Sequence, residues 1–290
     1  MNNRIALGTV QFGQPYGISN TSGVTNVVAA QAILSCARSA GMDTLDTAIA
    51  YGESEQRLGE IGVGQWLVIS KLPAVPDSCA DVAGWVRESF HESVARLRIS
   101  RLHGLLLHQS QQLLGSKGPE LYRSLLTLKE QGAVEKIGIS IYSPSELDAL
   151  WPNYRFDVVQ APLSIIDRRL ATSGWLNRLH QAGTEVHIRS VFLQGLLLMD
   201  SVRRPSYFNR WQALWDQWHG WLQDHSLSAL QGCLGFVLPQ TEISRIIVGV
   251  DSPKQLQEIL ASLDMPAIEP PLTLANEDAD LIEPFRWRVS

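Results

Sequence analysis

Cysteine is scarce in this chain, and the three that occur (Cys36, Cys79 and Cys233) lie far apart, with no CxxC pair or Cys/His cluster. So odd and sparse a count argues against a disulfide framework and fits a reducing compartment. Positive charge is not in excess: 24 Lys and Arg against 29 Asp and Glu leave a net charge of −5. No basic stripe could neutralise a phosphate backbone, so nucleic acid is not expected as a partner. Long hydrophobic runs are missing as well. No window approaches the roughly 20 apolar residues of a membrane helix, and the opening MNNRIALGTVQFG lacks the apolar stretch of a signal peptide. These absences predict a cytoplasmic protein without a membrane partner. The seven histidines show no HxxxH or HExxH spacing, so no metal site is expected.

What is present is a large apolar fraction, 45% of 290 residues, enough to bury a sizeable core without staples. Short apolar runs alternate with amphipathic segments from end to end. The runs are Ile5–Val10, Met42–Thr47, Trp66–Lys71, Leu102–His108, Lys136–Ile141, Phe156–Ala161, Glu185–Phe192 and Ser244–Val250. Several are almost continuously apolar, as parallel strands covered on both faces are. Helical spacing marks Val27–Ala40, Asp81–Leu97, Pro119–Lys129, Pro144–Leu150, Trp175–Ala182, Tyr207–His225, Leu227–Val237 and Pro253–Leu263. Gly41 and Gly132 are placed to end two of these helices. Eight alternating βα units predict an α/β fold, a (β/α)8 TIM barrel with its active site at the C-terminal ends of the strands. A doubly wound open sheet is the competitor, but the first strand leads into GTVQFGQPYG rather than GxGxxG. One barrel domain over 1–290 is expected, with an irregular, proline-containing tail over about 265–290.

Four polar residues stand at the ends of apolar runs. Asp46 ends TLD, with Tyr51 just beyond it; Lys71 ends LVISK; His108 ends LLLHQ. Strand ends at this rim carry the chemistry of such barrels, so the four side chains can converge. Here the chain resembles the aldo-keto reductase family. The matching pieces are LDTAIAYGESEQRLG, VISKLP, LLLHQ, KIGIS, FDVVQAPLSIIDR, RSVFLQGLL and IIVGVDSPKQLQE, in the family's order along nearly the whole chain. The resemblance implies reversible reduction of an aldehyde or ketone, sugar-type carbonyls included, by a nicotinamide cofactor. Elementary chemistry agrees: no side chain supplies a hydride, and the developing alkoxide needs a proton. Tyr51 is the expected acid, with Lys71 as the ammonium that lowers its pKa. Asp46 would fix Lys71, and His108 would orient the carbonyl or relay the proton.

The resemblance further implies that Ser140 and Gln160 hold the nicotinamide carboxamide. Arg189, Ser190, Leu193, Gln194 and Gly195 match the segment that lies along the nicotinamide and pyrophosphate. Gly249, Lys254 and Glu258 match the adenosine end, where a helix N-terminus can face phosphate. The chain departs from the family pattern at Ile141, where Asn is usual, at Arg189, and at Val250 and Gln255, where NADPH-preferring members carry Lys or Arg. NADP(H) therefore leads on family grounds and NAD(H) stays open, with Lys254 the one nearby cation. The family's N-terminal hairpin has no room before the first strand. Tyr207, Phe208, Phe285 and Trp287 are candidate substrate walls, and the protein is expected to work as a monomer or weak homo-oligomer on a small carbonyl substrate. Two other readings compete: a catalytically weak redox sensor that binds the nucleotide, and a metal-dependent barrel hydrolase, for which only His108 and Asp46 offer ligands.

Overall fold

Eight parallel strands close on themselves in chain order in the computed structural model, which describes residues 4–264 and 266–288. They are β1 Ile5–Gly8, β2 Thr44–Asp46, β3 Leu67–Leu72, β4 Leu102–Leu107, β5 Val134–Ser140, β6 Val158–Pro162, β7 Glu185–Arg189 and β8 Ile243–Gly249. Closure is made by β8 against β1, with Ile5 opposite Ile246 and Gly8 opposite Gly249. Each strand lies within or against one of the eight apolar runs. The helices between them are α1 Val27–Ser39, α2 Ser54–Ile61, α3 Val82–Leu97, α4 Gly118–Glu130, α5 Ser145–Leu150, α6 Arg169–Thr172, α7 Trp175–Gln181, α8 Gln212–Asp224, α9 Ala229–Val237 and α10 Pro253–Ala261, followed by α11 Ala279–Ile282.

Helix boundaries follow local capping. The side chains of Asn26, Asp81, Ser228 and Ser252 accept from backbone N–H groups of the first turns of α1, α3, α9 and α10, satisfying otherwise orphaned donors. At α9, Gln231 reciprocates and completes a capping box. One expected helix divides. Residues 206–211 form a tight 3-10 stretch, and α8 begins only at Gln212. Pro205 sets the entry to that stretch, and the Trp215 indole donates to Phe208 O at 2.9 Å. The expected tail begins at Met265 and ends at Val289 and Ser290, which lie outside the described residues; between them run short helical turns, none longer than four residues.

The main apolar shell lies between the barrel wall and the helices. Inside the barrel, Ile69, Leu106 and Val158 form a small group of their own. They sit two residues before Lys71 on β3, His108 directly after β4 and Gln160 on β6, so the alternation of the extended chain points all six side chains inward. The barrel floor is polar: Lys136 Nζ reaches Glu185 Oε1 at 2.7 Å, and Arg245 Nε donates to Thr44 Oγ1 at 3.1 Å. Among the described residues, no helix is long and apolar enough to cross a membrane, and no group of three or more His, Cys, Asp or Glu is placed to hold a metal ion.

Candidate active site

The four strand-end residues meet at the C-terminal rim. Lys71 is fully buried, and its ammonium donates to Asp46 Oδ2 at 2.7 Å, Thr47 O at 2.9 Å and Tyr51 OH at 3.4 Å. The Tyr51 and His108 rings meet edge to face with centroids 5.7 Å apart. The turn after β2 that carries Tyr51 is tied down by hydroxyls: Ser54 Oγ donates to Thr9 O at 2.8 Å and meets Thr47 Oγ1 at 3.2 Å. A fifth residue joins from the opposite wall. Gln160 Nε2, on β6, crosses the barrel to donate to Asp46 Oδ1 at 2.7 Å.

Burial sets the protonation states. His108 is pulled down to about 4, first by desolvation and then by the charges of Lys71 and Arg189, so its imidazole is neutral at pH 7. Tyr51 is held above the usual tyrosine value, mainly by burial and then by Asp46, with Arg189 opposing. This differs from the expectation that Lys71 lowers it. Lys71 spends its charge on the carboxylate 2.7 Å away, and its own pKa is lowered by burial against the pull of Asp46. The arrangement thus presents a neutral phenol and a neutral imidazole beside a buried ion pair. Such a set can donate hydrogen bonds, and one proton, to an oxygen that gains negative charge.

A cleft of about 370 Å³ runs from Tyr51 and Asp46 out between the loops that follow β1, β7 and β8. Arg189, Ser190, Gln194, Gly195, Gly249 and Glu258 line it. Arg189 forms no ion pair among the described residues; it lies over the Tyr142 ring at 4.7 Å and donates to Ile141 O at 2.9 Å. Gly195 has φ +88, and a Cβ there would fall 2.0 Å from Ser19 Oγ, so only glycine lets the two loops approach. Ser140 and Gln160 are buried side by side in register at the ends of β5 and β6. Two further expected residues are placed otherwise. The Leu193 side chain is packed in the core, because the backbone turns left-handed at Leu193 and Gln194. Lys254 is outside the cleft, 85% exposed and 3.9 Å from Glu258 across one turn of α10.

A second cavity, about 490 Å³, opens beside His108 and is lined by Gln109, Gln111, Ser140, Tyr142 and Phe285 among others. Of the four candidate wall residues only Phe285 reaches it. Tyr207 donates to Asp280 O, while Phe208 is fully buried and packs edge to face with Trp287. Tyr142, 5.0 Å from Phe285, is a wall that sequence reasoning missed. Also missed were Thr9, Gln11, Tyr16 and Ser19, which line the cleft from β1 and its loop. Their position just after the first strand, at the rim where ligands gather, is the signal that could have found them. A wider surface groove at the start of α3, lined by Cys79, Asp81, Trp85 and His91, holds none of these residues.

Two buried acceptors in this region lack a partner among the described residues, Gln11 Oε1 and Gln160 Oε1. Buried polar atoms seldom stay unpaired. Together with the glycines that open the cleft, they fit an elongated ligand bearing amide and hydroxyl donors, as a nicotinamide dinucleotide does.

An NADH-specific methylglyoxal reductase of Escherichia coli (strain K12) is 25% identical over 213 residues, which covers 68% of this chain and 65% of that protein, just under two thirds of its length. The fold is shared with an aldo-keto reductase from Bacillus halodurans in its holo form (TM-score 0.75, 17% identity, covering 98% of this chain and 95% of that one). It is shared also with a glycerol dehydrogenase from Gluconobacter oxydans (TM-score 0.69, 20% identity, covering 92% and 88%). The model of the Aldo/keto reductase family matches residues 4–269. By that match the chain belongs to the aldo/keto reductase family.

Proposed function

We propose that this protein is an oxidoreductase that reduces an aldehyde or ketone to an alcohol with a nicotinamide cofactor. The observation that carries the reading is the placement of Tyr51 OH and the His108 ring beside the Lys71–Asp46 pair at the inner end of the cleft. A bound nicotinamide would supply the hydride. The chain's own residues do the rest. Neutral His108 donates a hydrogen bond to the carbonyl oxygen and aligns it. Tyr51 is protonated at neutral pH, burial holding its pKa above the usual tyrosine value, and it gives up its proton only as the more basic alkoxide forms. Lys71, fixed by Asp46 and Thr47 O, stabilises the phenolate left behind.

Ser140 and the free oxygen of Gln160 would hold the carboxamide, and Arg189 would lie along the nicotinamide or its phosphate, where its charge meets an anion. The strap of Ser190, Gln194 and Gly195, with the backbone of Leu193, would cover the pyrophosphate. Gly249 and Glu258 would flank the adenosine. NADPH leads on family grounds, but the residues at this end favour NADH. A 2′-phosphate needs a cation, whereas Asp251, Gln255 and Glu258 line the cleft and Lys254 points away from it. The E. coli relative, NADH-specific by its name, points the same way. Small 2-oxoaldehydes and sugar-type aldehydes are the first substrates to try, since amide and aromatic side chains line the cavity beside His108. We read residues 1–290 as one barrel domain. Titration of the purified protein with NADH and NADPH, followed by nucleotide fluorescence, and oxidation of the bound nucleotide by a carbonyl panel test the reading. No affinity for either nucleotide would end it.

A further inference from the structure

β7 carries three titratable side chains on its inner face. Glu185, His187 and Arg189 alternate along the strand and run from the floor of the barrel to its mouth. The middle one is unexplained by the chemistry above. His187 is 2% exposed and faces Arg245 on β8 and Gln160 on β6, its register partners. Nε2 stands 3.4 Å from Glu185 Oε2 on the same strand, and Asp46 acts on the ring through its charge. Neither ring nitrogen makes a hydrogen bond among the described residues, Nε2 standing at ion-pair distance only, and Gln160 Oε1 makes none either.

The identity of these two atoms is chemically constrained. Gln160 must present its NH₂ to the Asp46 carboxylate, which only accepts, so its carbonyl oxygen faces the other way. His187 is neutral, its pKa lowered chiefly by burial, and of its two nitrogens Nε2 is the one that faces a carboxylate, Glu185 Oε2 at 3.4 Å, so electrostatics favour the N–H there although no hydrogen bond is closed. Its Nδ1 is then a lone-pair acceptor. Two acceptors on register-paired neighbours of adjacent strands, whose backbones lie about 4.8 Å apart, cannot bond to each other. One species satisfies both: a donor with two hydrogens.

We propose that the barrel core binds one water that donates to His187 Nδ1 and Gln160 Oε1, which makes His187 a positioning residue for the catalytic layer. The chain of contacts runs from Glu185 through His187, the water and Gln160 to Asp46, and from Asp46 to Lys71. With His187 and the water in place, the Gln160 side chain is held at both ends and its amide keeps Asp46 aimed at Lys71. The second lone pair of Gln160 Oε1 remains free for the carboxamide. The inference rests on the reading of Asp46 and Lys71 as catalytic groups, but its structural half can be tested without any turnover.

A high-resolution crystal structure of the full chain should show a water about 2.8 Å from both atoms, and nitrogen-15 NMR of labelled histidine should find His187 neutral with its proton on Nε2 at pH 7. Dry density between the two, or a proton on Nδ1, overturns the proposal, whether or not the protein reduces carbonyls. On turnover, His187→Leu should lower kcat about tenfold, as loss of one buried hydrogen-bonded link does, with KM for the carbonyl unchanged. His187→Gln, which keeps a polar end, should recover most of that loss. A leucine variant that melts higher and turns over as fast as the parent means that the imidazole was only an unsatisfied core group, and overturns the proposal.

Discussion

Lys71 Nζ stands 2.7 Å from Asp46 Oδ2, and the lysine has no exposed surface at all. Two charges so placed hold each other: either one alone would be a bare ion in the core. Removing one partner of such a pair costs about 3–5 kcal/mol. Asp46→Asn and Lys71→Met are each expected to lose stability on that scale and to lose turnover. The double change Asp46→Leu with Lys71→Met should recover much of the stability, less the cost of the orphaned Gln160 amide, and none of the activity. Urea unfolding alongside a carbonyl reductase assay separates the two. A double variant that still turns over would take the pair out of the chemistry.

Tyr51 meets the lysine ammonium at 3.4 Å through its hydroxyl, and the ammonium also stands 5.0 Å from the centroid of its ring. Tyr51→Phe keeps the ring, its edge contact with His108 and the fold of the turn, and deletes the proton. Turnover should fall by about 10²–10⁴, the usual worth of a positioned acid. Nucleotide affinity by fluorescence titration should stay within about twofold, since loss of one neutral hydroxyl contact is small. Equal losses in affinity and turnover would mean that Tyr51 only helps to bind.

His108 makes stability depend on pH. Its folded pKa of about 4 lies below the 6.5 of an unfolded histidine. Between those values the unfolded chain binds the proton and the folded chain does not, so stability falls as pH drops from about 6.5 towards 4 and is untouched above 6.5. At pH 5 the loss is at most about 2 kcal/mol, and less once solvent screens the partly exposed ring. His108→Gln should flatten that part of the denaturation midpoint against pH. In the parent enzyme kcat/KM should show no inflection near 6.5 from this group, because the imidazole stays neutral throughout.

At the proposed adenosine end the lysine lies outside the cleft lining. Lys254→Ala removes a side chain that is 85% exposed and paired to Glu258, so NADH and NADPH affinities should both hold within about twofold. Gln255→Arg puts a guanidinium on the cleft lining and should raise NADPH affinity about tenfold relative to NADH, a charge-assisted pair being worth about 1.5 kcal/mol or more. Isothermal titration with both nucleotides reads the ratio. A fall in NADPH affinity for Lys254→Ala would restore the lysine to the site.

The barrel was legible because its strands are buried on both faces and therefore read as apolar runs broken by helical spacing. Asp46, Lys71 and His108 stood out for the same reason: each interrupts such a run at its C-terminal end, where a polar side chain needs a partner. What depends on closure was not legible. The reach of Gln160 across to Asp46 joins strands four places apart in the barrel order, and no local spacing encodes it. Leu193 looked like one of a row of strap residues, but left-handed backbone at Leu193 and Gln194 breaks the row and turns its side chain inward. Trp211, Trp215 and Trp218 keep a helix-like spacing through the junction of the 3-10 stretch with α8, so the break at Gln212 left no mark on the pattern.

Gly13 controls where Tyr51 can sit. A Cβ at Gly13 would fall 1.7 Å from Tyr51 O and 2.6 Å from Ser54 N, both backbone atoms that cannot rotate away. The φ of Gly13 is −117°, which any residue adopts, so contact and not conformation demands glycine here. Gly13→Ala must therefore push the β1 loop and the Tyr51 turn apart. Overpacking of this kind costs about 1–3 kcal/mol, and a displacement of the phenol by about 1 Å is enough to lower kcat about 100-fold. Gly64→Ala is the control: no neighbouring atom lies within 4 Å of its Cβ, and both stability and turnover should be kept. If Gly13→Ala instead loses stability while kcat holds, the turn relaxes without moving the hydroxyl, and the phenol is positioned by Lys71 and His108 rather than by the loop beneath it.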